Sequence, residues 1–183
     1  MNNEIWYLHT DEELGRSEER LRQAASLRLG ISPSDGRLQP QRDGRGKLYF
    51  PLAPTLHCSV SHSGGIWLCA LSGLPVGVDL QRHQPCPWEK IAARFFSDEE
   101  TSWLNGQPAA CFFDVWCAKE SYLKYTGAGM ELGLDCFSAV AGSRLADAVL
   151  GVPLRHIPFV PDFSLCLCGG TADEVALRVL PKA

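Results

Sequence analysis

Apolar and polar positions alternate along Val76-Gly77-Val78-Asp79-Leu80-Gln81-Arg82, which predicts a strand carrying Asp79 and Gln81 on one face. A period of four follows further on: Phe112, Trp116, Glu120 and Lys124 form one row of a helix over 110–126, and Gly127 ends that helix as a C′ glycine. Other elements take their places around these two. Glu4 to His9 is rich in aromatic and β-branched residues and predicts a first strand. Ser17 is placed as the N-cap of a helix that runs to about Leu29 and stops at Gly30, with Glu18 and Glu19 at its positive end. Residues 32–46 are a loop, and Gly44 to Phe50 brings a glycine-flanked basic patch into a short strand. Leu56–Val60 and Ile66–Leu71 are strands. Pro87 opens a helix to about Phe96, and Ser97-Asp98-Glu99-Glu100 is a capping-box start for another, ended by Asn105-Gly106-Gln107-Pro108. Strand-like segments at 135–140, 163–168 and 174–180 alternate with Gly/Pro turns.

At 183 residues the chain has room for one domain or two small lobes. With 45 % hydrophobic and 21 % charged residues it can build a core and is not a disordered tail. A net charge of -4 argues against a broad nucleic-acid surface. No apolar run approaches the roughly 20 residues of a membrane helix. The start, Met1-Asn2-Asn3-Glu4, lacks the basic and apolar regions of a signal peptide, so a cytoplasmic address is expected. The eight cysteines include no Cys-x-x-Cys and are expected as free thiols packed like small hydrophobes.

Taken alone, these residues leave the chemistry open. A carboxylate at Asp79 is costly to bury unless a cation compensates it, whereas Glu120 and Lys124 alone make an ordinary surface pair. Ser61-His62-Ser63-Gly64-Gly65, at the tight link between two strands, offers hydroxyl, imidazole and N–H groups to an anion, or is a turn with a satisfied histidine. Arg16, Arg20, Arg22 and Arg28 are a solvated helix face, or one or two of them hold a phosphate. A hydrolase built on Cys58 or Ser61 with His62 is disfavoured, because neighbours on a strand point to opposite faces. The stretch from Trp88 to Phe113 is either an exposed docking surface or two short helices packed together.

In order, Gly46-Lys47, Ser61-His62-Ser63, Gly77-Val78-Asp79-Leu80, Arg94-Phe95-Phe96 with Glu99 and Glu100, and Trp116-x-x-Lys119-Glu120-x-x-x-Lys124 with Gly127 resemble the 4′-phosphopantetheinyl transferases of the Sfp type. The resemblance is close over residues 44–138. It implies an α+β fold, a pseudo-twofold pair of similar α/β lobes over 1–74 and 75–183, with mixed and antiparallel sheets, packed helices and a cofactor cleft between the lobes. It also implies transfer of the phosphopantetheine arm of coenzyme A to a serine of an apo acyl or peptidyl carrier protein, with Mg²⁺ and release of 3′,5′-ADP, by a monomer.

By that resemblance Asp79 and Glu120 hold the metal. Gln81 stands where many relatives carry a second acidic residue, and its amide oxygen offers a weaker ligand. Glu120, Lys124 and Asp79 carry the catalysis. Lys47, Ser61, His62 and Lys119 hold the cofactor, with Arg22 and Arg28 as further candidates for its phosphates. Leu48 replaces the proline common after Gly-Lys.

Overall fold

A computed structural model describes residues 2–10, 16–129 and 132–181, so Met1 lies outside the described residues. The first sheet is built from β1 (Asn3–His9), followed after α1 (Ser17–Leu29) and two short strands, β2 (Gln41–Arg42) and β3 (Leu48–Tyr49), by the hairpin β4 (His57–Ser63) and β5 (Ile66–Ser72). The second begins with β6 (Val76–Arg82). The chain then runs through α2 (Trp88–Phe95), α3 (Asp98–Leu104) and α4 (Ala110–Thr126). After them come β7 (Val140–Ala141), β8 (Arg144–Leu145), β9 (Ala148–Val149), β10 (Val152–His156), β11 (Phe163–Gly169) and β12 (Val175–Val179). The result is the expected α+β architecture, with sheet orders β12-β1-β5-β4 and β6-β11-β10-β9.

The last strand crosses between the sheets. β12 pairs in parallel with β1, from Asn3 opposite Val175 to Tyr7 opposite Val179. Buried Asn3 seats this crossing: its amide donates to the carbonyls of Thr171 and Asp173, and its oxygen accepts from Thr171 N and Ser72 Oγ. We therefore propose two lobes divided near 74/75, with the C-terminal strand assigned to the first.

Alternation explains the layers. In β5, Trp67, Cys69 and Leu71 face a core shared with Leu21, Ala24 and Ala25 of α1, while Ile66, Leu68 and Ala70 face the second sheet. Val76, Val78 and Leu80 of β6 join that inter-sheet core. The opposite face of β6 lies under α4, and Gly77 makes the approach close. A Cβ there would stand 2.1 Å from Ser121 O and 2.3 Å from Tyr125 N.

The edges of the two sheets meet along a row of serines. Ser59, Ser61 and Ser63 of β4 each accept a backbone N–H from β6, those of Val78 (3.0 Å), Leu80 (3.2 Å) and Arg82 (2.9 Å). A period-2 run of short hydroxyls thus satisfies every second donor of an edge strand, with side chains replacing a backbone ladder.

Three expectations are corrected, and one strand, β10, was not among those expected. Arg16, not Ser17, occupies the N-cap of α1, and the Ser17 hydroxyl instead accepts from Trp67 Nε1 at 2.8 Å. Ser61 to Ser63 belong to β4 itself, and the link to β5 is the pair Gly64–Gly65, both with positive φ. Residues 135–140 do not form one strand: Leu134–Cys136 is a single 3-10 turn, and pairing begins only at Val140. β10 was hidden by Pro153, which sits opposite Ala148, outside the β10–β11 pairing of residues 154–156.

The Trp88–Phe113 stretch is packed along one side, while Trp88, Ile91, Phe95 and Trp103 stay partly exposed. Phe112 and Phe113 are 3 % and 5 % exposed, and Phe96 stacks on Phe112 at 5.4 Å. Among the described residues no helix is long and apolar enough to cross a membrane.

Candidate active site

Asp79 projects from β6 toward α4 and is 6 % exposed. Its Oδ1 accepts from Lys124 Nζ at 2.7 Å and from Ser61 Oγ at 2.7 Å, and Lys124 also reaches Ser61 Oγ at 3.0 Å. Three elements, β4, β6 and α4, thus converge on one carboxylate oxygen. Lys124 lies one helical turn beyond Glu120, as the row of four predicts. Burial, and then the neighbouring Asp79 charge, push the Glu120 carboxyl above the usual range, while Lys124 pulls it back. Two carboxylates repel across this point, with a single ammonium between them.

Glu120 and Lys124 line a cavity of about 460 Å³ between α4 and the β2–β4 segment. Across from them stand Arg42, Arg45, Lys47 and His62, with Ser17 and Gly46 in the same wall. Partial burial and the Lys124 ammonium hold the His62 imidazole below its ordinary pKa. Lys47 extends from the loop before β3 to the end of α4, where its ammonium donates to Tyr125 O at 2.5 Å, and burial lowers its pKa. This cation therefore meets the negative end of the α4 dipole at the cleft wall.

The expected residues separate into two groups. Asp79, Glu120, Lys124, His62 and Lys47 stand in or beside the cavity, and Ser61 joins them through Asp79. The Ser61 hydroxyl is committed within the seam, since it donates to Asp79 and accepts from Lys124 and Leu80 N, so its part is to orient those groups. Gln81 lies two residues beyond Asp79 on the same strand face and is partly exposed.

Lys119 does not reach the cavity, and its expected role toward a cofactor is corrected. It is fully buried, pairs with Glu100 at 2.8 Å and donates to the carbonyls of Leu134 and Phe137 at 2.5 Å each. Arg28 is also spent elsewhere, on the carbonyls of Leu71 and Asn2 with Glu4 at 3.6 Å. Arg22, on α1, is not in the cavity wall. Arg42 and Arg45, in and just after β2, take the places expected of α1 arginines. Arg45 belongs to the glycine-flanked basic patch, whereas nothing in the sequence singled out Arg42.

A hydrolase finds no support in this geometry. Ser61 points into the seam and His62 out of it, and Cys58 is buried with its thiol pushed up to about 12. Burial does the same to Cys166 and Cys168, both pushed up to about 12. Iodoacetamide at neutral pH is therefore expected to alkylate Cys136, with slower reaction at Cys86 and Cys111, and to spare the five buried thiols until the protein is denatured. Peptide mapping after native labelling checks this. An adduct on Cys58 at the rate of Cys136 would contradict its burial.

Among the described residues no three His, Cys, Asp or Glu side chains are grouped to hold a metal ion. Asp79 and Glu120 nevertheless fit a hard cation. They are oxygen donors, mutually repelling and half or more buried, which is excess negative charge that a divalent ion relieves. An amide oxygen at Gln81, waters and substrate oxygens would complete such a shell.

Comparison with known proteins identifies the family. A sequence model described as the 4′-phosphopantetheinyl transferase superfamily matches residues 75–156. The chain is 37 % identical over 167 residues to a 4′-phosphopantetheinyl transferase of Bacillus subtilis, covering 84 % of this chain and 71 % of the relative. It is 36 % identical over 164 residues to the 4′-phosphopantetheinyl transferase Sfp of Bacillus subtilis (strain 168), with the same coverage. A 4′-phosphopantetheinyl transferase of Bacillus pumilus is 34 % identical over 139 residues, 70 % of this chain and 59 % of that protein. Identity at this level over most of both chains extends well past the motifs that line the cleft, and the chain belongs to the 4′-phosphopantetheinyl transferase superfamily.

Proposed function

We propose that this protein transfers the 4′-phosphopantetheine arm of coenzyme A to a serine of an apo acyl or peptidyl carrier protein, in an Mg²⁺-dependent reaction that releases 3′,5′-ADP. The observation that carries the reading is a cavity with Glu120 and Lys124 in its lining, Lys124 bonded to the Asp79 carboxylate behind it, and Arg42, Arg45 and Lys47 lining the same space. A polyanionic cofactor needs the cations, and displacement at its pyrophosphate needs charge neutralised where the leaving group departs.

Arg42, Arg45, Lys47 and His62 would bind the phosphates of coenzyme A. Lys47 would do so from its position at the C-terminus of α4, where burial favours pairing with an anion. Asp79, Glu120 and the amide of Gln81 would hold Mg²⁺, which supplies charge neutralisation at the pyrophosphate.

The carrier serine oxygen forms a bond to phosphorus as the pyrophosphate bridge breaks, and 3′,5′-ADP leaves with the electron pair. Glu120 receives the serine proton at a carboxylate oxygen, directly or through a water. Its place beside Lys124 in the cavity wall puts that carboxylate within the reacting centre. Lys124, held in place by Asp79 and Ser61, meets the charge that develops on the transferred phosphate. The nucleophile belongs to the carrier, so this chain contributes none. The protein acts as a monomer.

The test is intact mass of apo acyl and apo peptidyl carrier proteins after incubation with this protein, coenzyme A and Mg²⁺, with and without EDTA. The expected result is a gain of one phosphopantetheine arm, abolished by EDTA and restored by excess Mg²⁺. No gain on any carrier, with coenzyme A bound, would refute the reading.

A further inference from the structure

A polar chain beyond the cleft has no part in the chemistry above. Ser164 of β11 donates to Asp114 Oδ1 at 2.6 Å, and His83 Nε2 lies 2.8 Å from the same hydroxyl oxygen. A serine hydroxyl has one hydrogen, and here it is committed to Asp114. The Nε2 of His83 must then be the donor, and in the tautomer with its hydrogen on Nε2 the Nδ1 is an acceptor. The ring is fixed from its face as well, stacked on Phe113 at 4.9 Å and 17°. Its backbone N–H continues the β6–β11 ladder one step by donating to Asp162 O at 2.8 Å. His83 is partly exposed, and among the described residues no hydrogen-bond partner is found for Nδ1.

The position of this ring relative to the cleft gives it a role. Asp79, Gln81 and His83 alternate along one strand face, about 7 Å apart at each step. Asp79 meets the C-terminal half of α4 through Lys124, and His83 meets its N-terminal half through Phe113 and Asp114. The cavity walls taken from α4 and its end are Glu120, Leu123, Lys124, Gly127 and Gly129, all toward the C-terminus. A cofactor held there leaves the N-terminal half of α4 outside the cavity. On that side the strand face ends in His83, roughly 9 Å along the helix from the Glu120 level, since Asp114 precedes Glu120 by six residues.

We propose that His83, held by Ser164 and Asp114, is a specificity contact for the acceptor protein: its Nδ1 receives a hydrogen bond from the backbone or a hydroxyl beside the modified serine. This rests on the transferase reading above. A histidine that only closed the end of β6 would need Nε2 and the stacked ring, and would not require an exposed acceptor nitrogen on the strand face that leads from Asp79.

Steady-state transfer to one apo carrier protein tests it, with the Michaelis constants for carrier and coenzyme A measured separately for wild type, His83→Ala, His83→Asn and His83→Gln, and a melting temperature for each. Asparagine returns a polar group near the Nδ1 position, and glutamine one near Nε2. Loss of one hydrogen bond predicts about a tenfold rise in carrier KM for His83→Ala. Coenzyme A KM should stay within about twofold on the same argument. His83→Asn should recover most of the carrier KM, and His83→Gln should recover the melting temperature but not the KM.

An unchanged carrier KM in His83→Ala, equal changes in both constants, or recovery by glutamine as good as by asparagine would each overturn the inference. They would assign the ring to the fold. Wild type that transfers to no carrier would bring down the transferase reading and this inference with it, an outcome distinct from the other three.

Discussion

Asp79→Asn and Glu120→Gln are each expected to lower kcat/KM for transfer by at least ~10²–10³-fold while coenzyme A still binds. Each change keeps the side-chain volume and removes one negative charge. Asp79 carries more than its share of the local order, because a single oxygen of it holds both Lys124 and Ser61. Asparagine there weakens a hard-cation site and also frees the ammonium that faces the transferred phosphate. Among the described residues Glu120 has no such hydrogen-bonded partner, so its loss should fall on proton transfer and metal affinity with the fold little disturbed. The two variants should therefore differ in melting temperature and agree in the scale of lost turnover.

Calorimetric titration with coenzyme A separates binding from chemistry, and intact-mass time courses with excess Mg²⁺ supply the rate. A variant that kept a rate within about fivefold of wild type would remove that carboxylate from the reacting centre, since one displaced donor already costs more than that. Double replacement should cost less than the product of the two single losses, because both groups act on the same charge.

The two strongest periodicities in the sequence proved the most faithful guides. Alternation through 76–82 placed Asp79 and Gln81 on the α4 side of β6, and the row of four placed Glu120 beside Lys124. What the sequence could not reveal was which of its cations face the cleft. Arg28 and Arg42 are alike in chemistry. Only the way α1 lies on the first sheet turns Arg28 toward Leu71 O, while the β2–β3 turn brings Arg42 to the cavity.

The serine seam was equally hidden. Ser61 and Ser63 look like candidates for an anion, but their partners, like that of Ser59, are the free N–H groups of a strand in the other sheet, and no local pattern encodes that meeting. β10 failed for a different reason: proline counts against a strand unless its missing N–H falls where no ladder bond is required. The return of β12 to β1 is a long-range pairing whose anchor, Asn3, is a single unremarkable residue at the other end of the chain.

Lys119→Met is expected to cost about 3–5 kcal/mol of stability, as when one partner is removed from a buried ion pair. For a chain of this length that corresponds to a fall of roughly 6–20 °C in melting temperature. Lys119 and Glu100 are both fully buried, and each satisfies several groups besides the other. Glu100 accepts from Ser97 N, Ser97 Oγ and Ala139 N, and so completes the capping box of α3 while tying down the segment that leads to β7. The Lys119 ammonium spends its remaining hydrogens on Leu134 O and Phe137 O and lies 4.4 Å from the Phe137 ring centroid. Methionine fills the volume but strands two carbonyls and a buried carboxylate, whose desolvation is then uncompensated. Adding Glu100→Gln to Lys119→Met removes the stranded charge and keeps an oxygen for the cap, so the double variant should be more stable than Lys119→Met alone. Urea melts of the three proteins decide the matter. A loss below about 1 kcal/mol in Lys119→Met would mean that water or a rearranged backbone replaces the ammonium, and that this motif lysine is not what fixes α4 against the 134–139 segment.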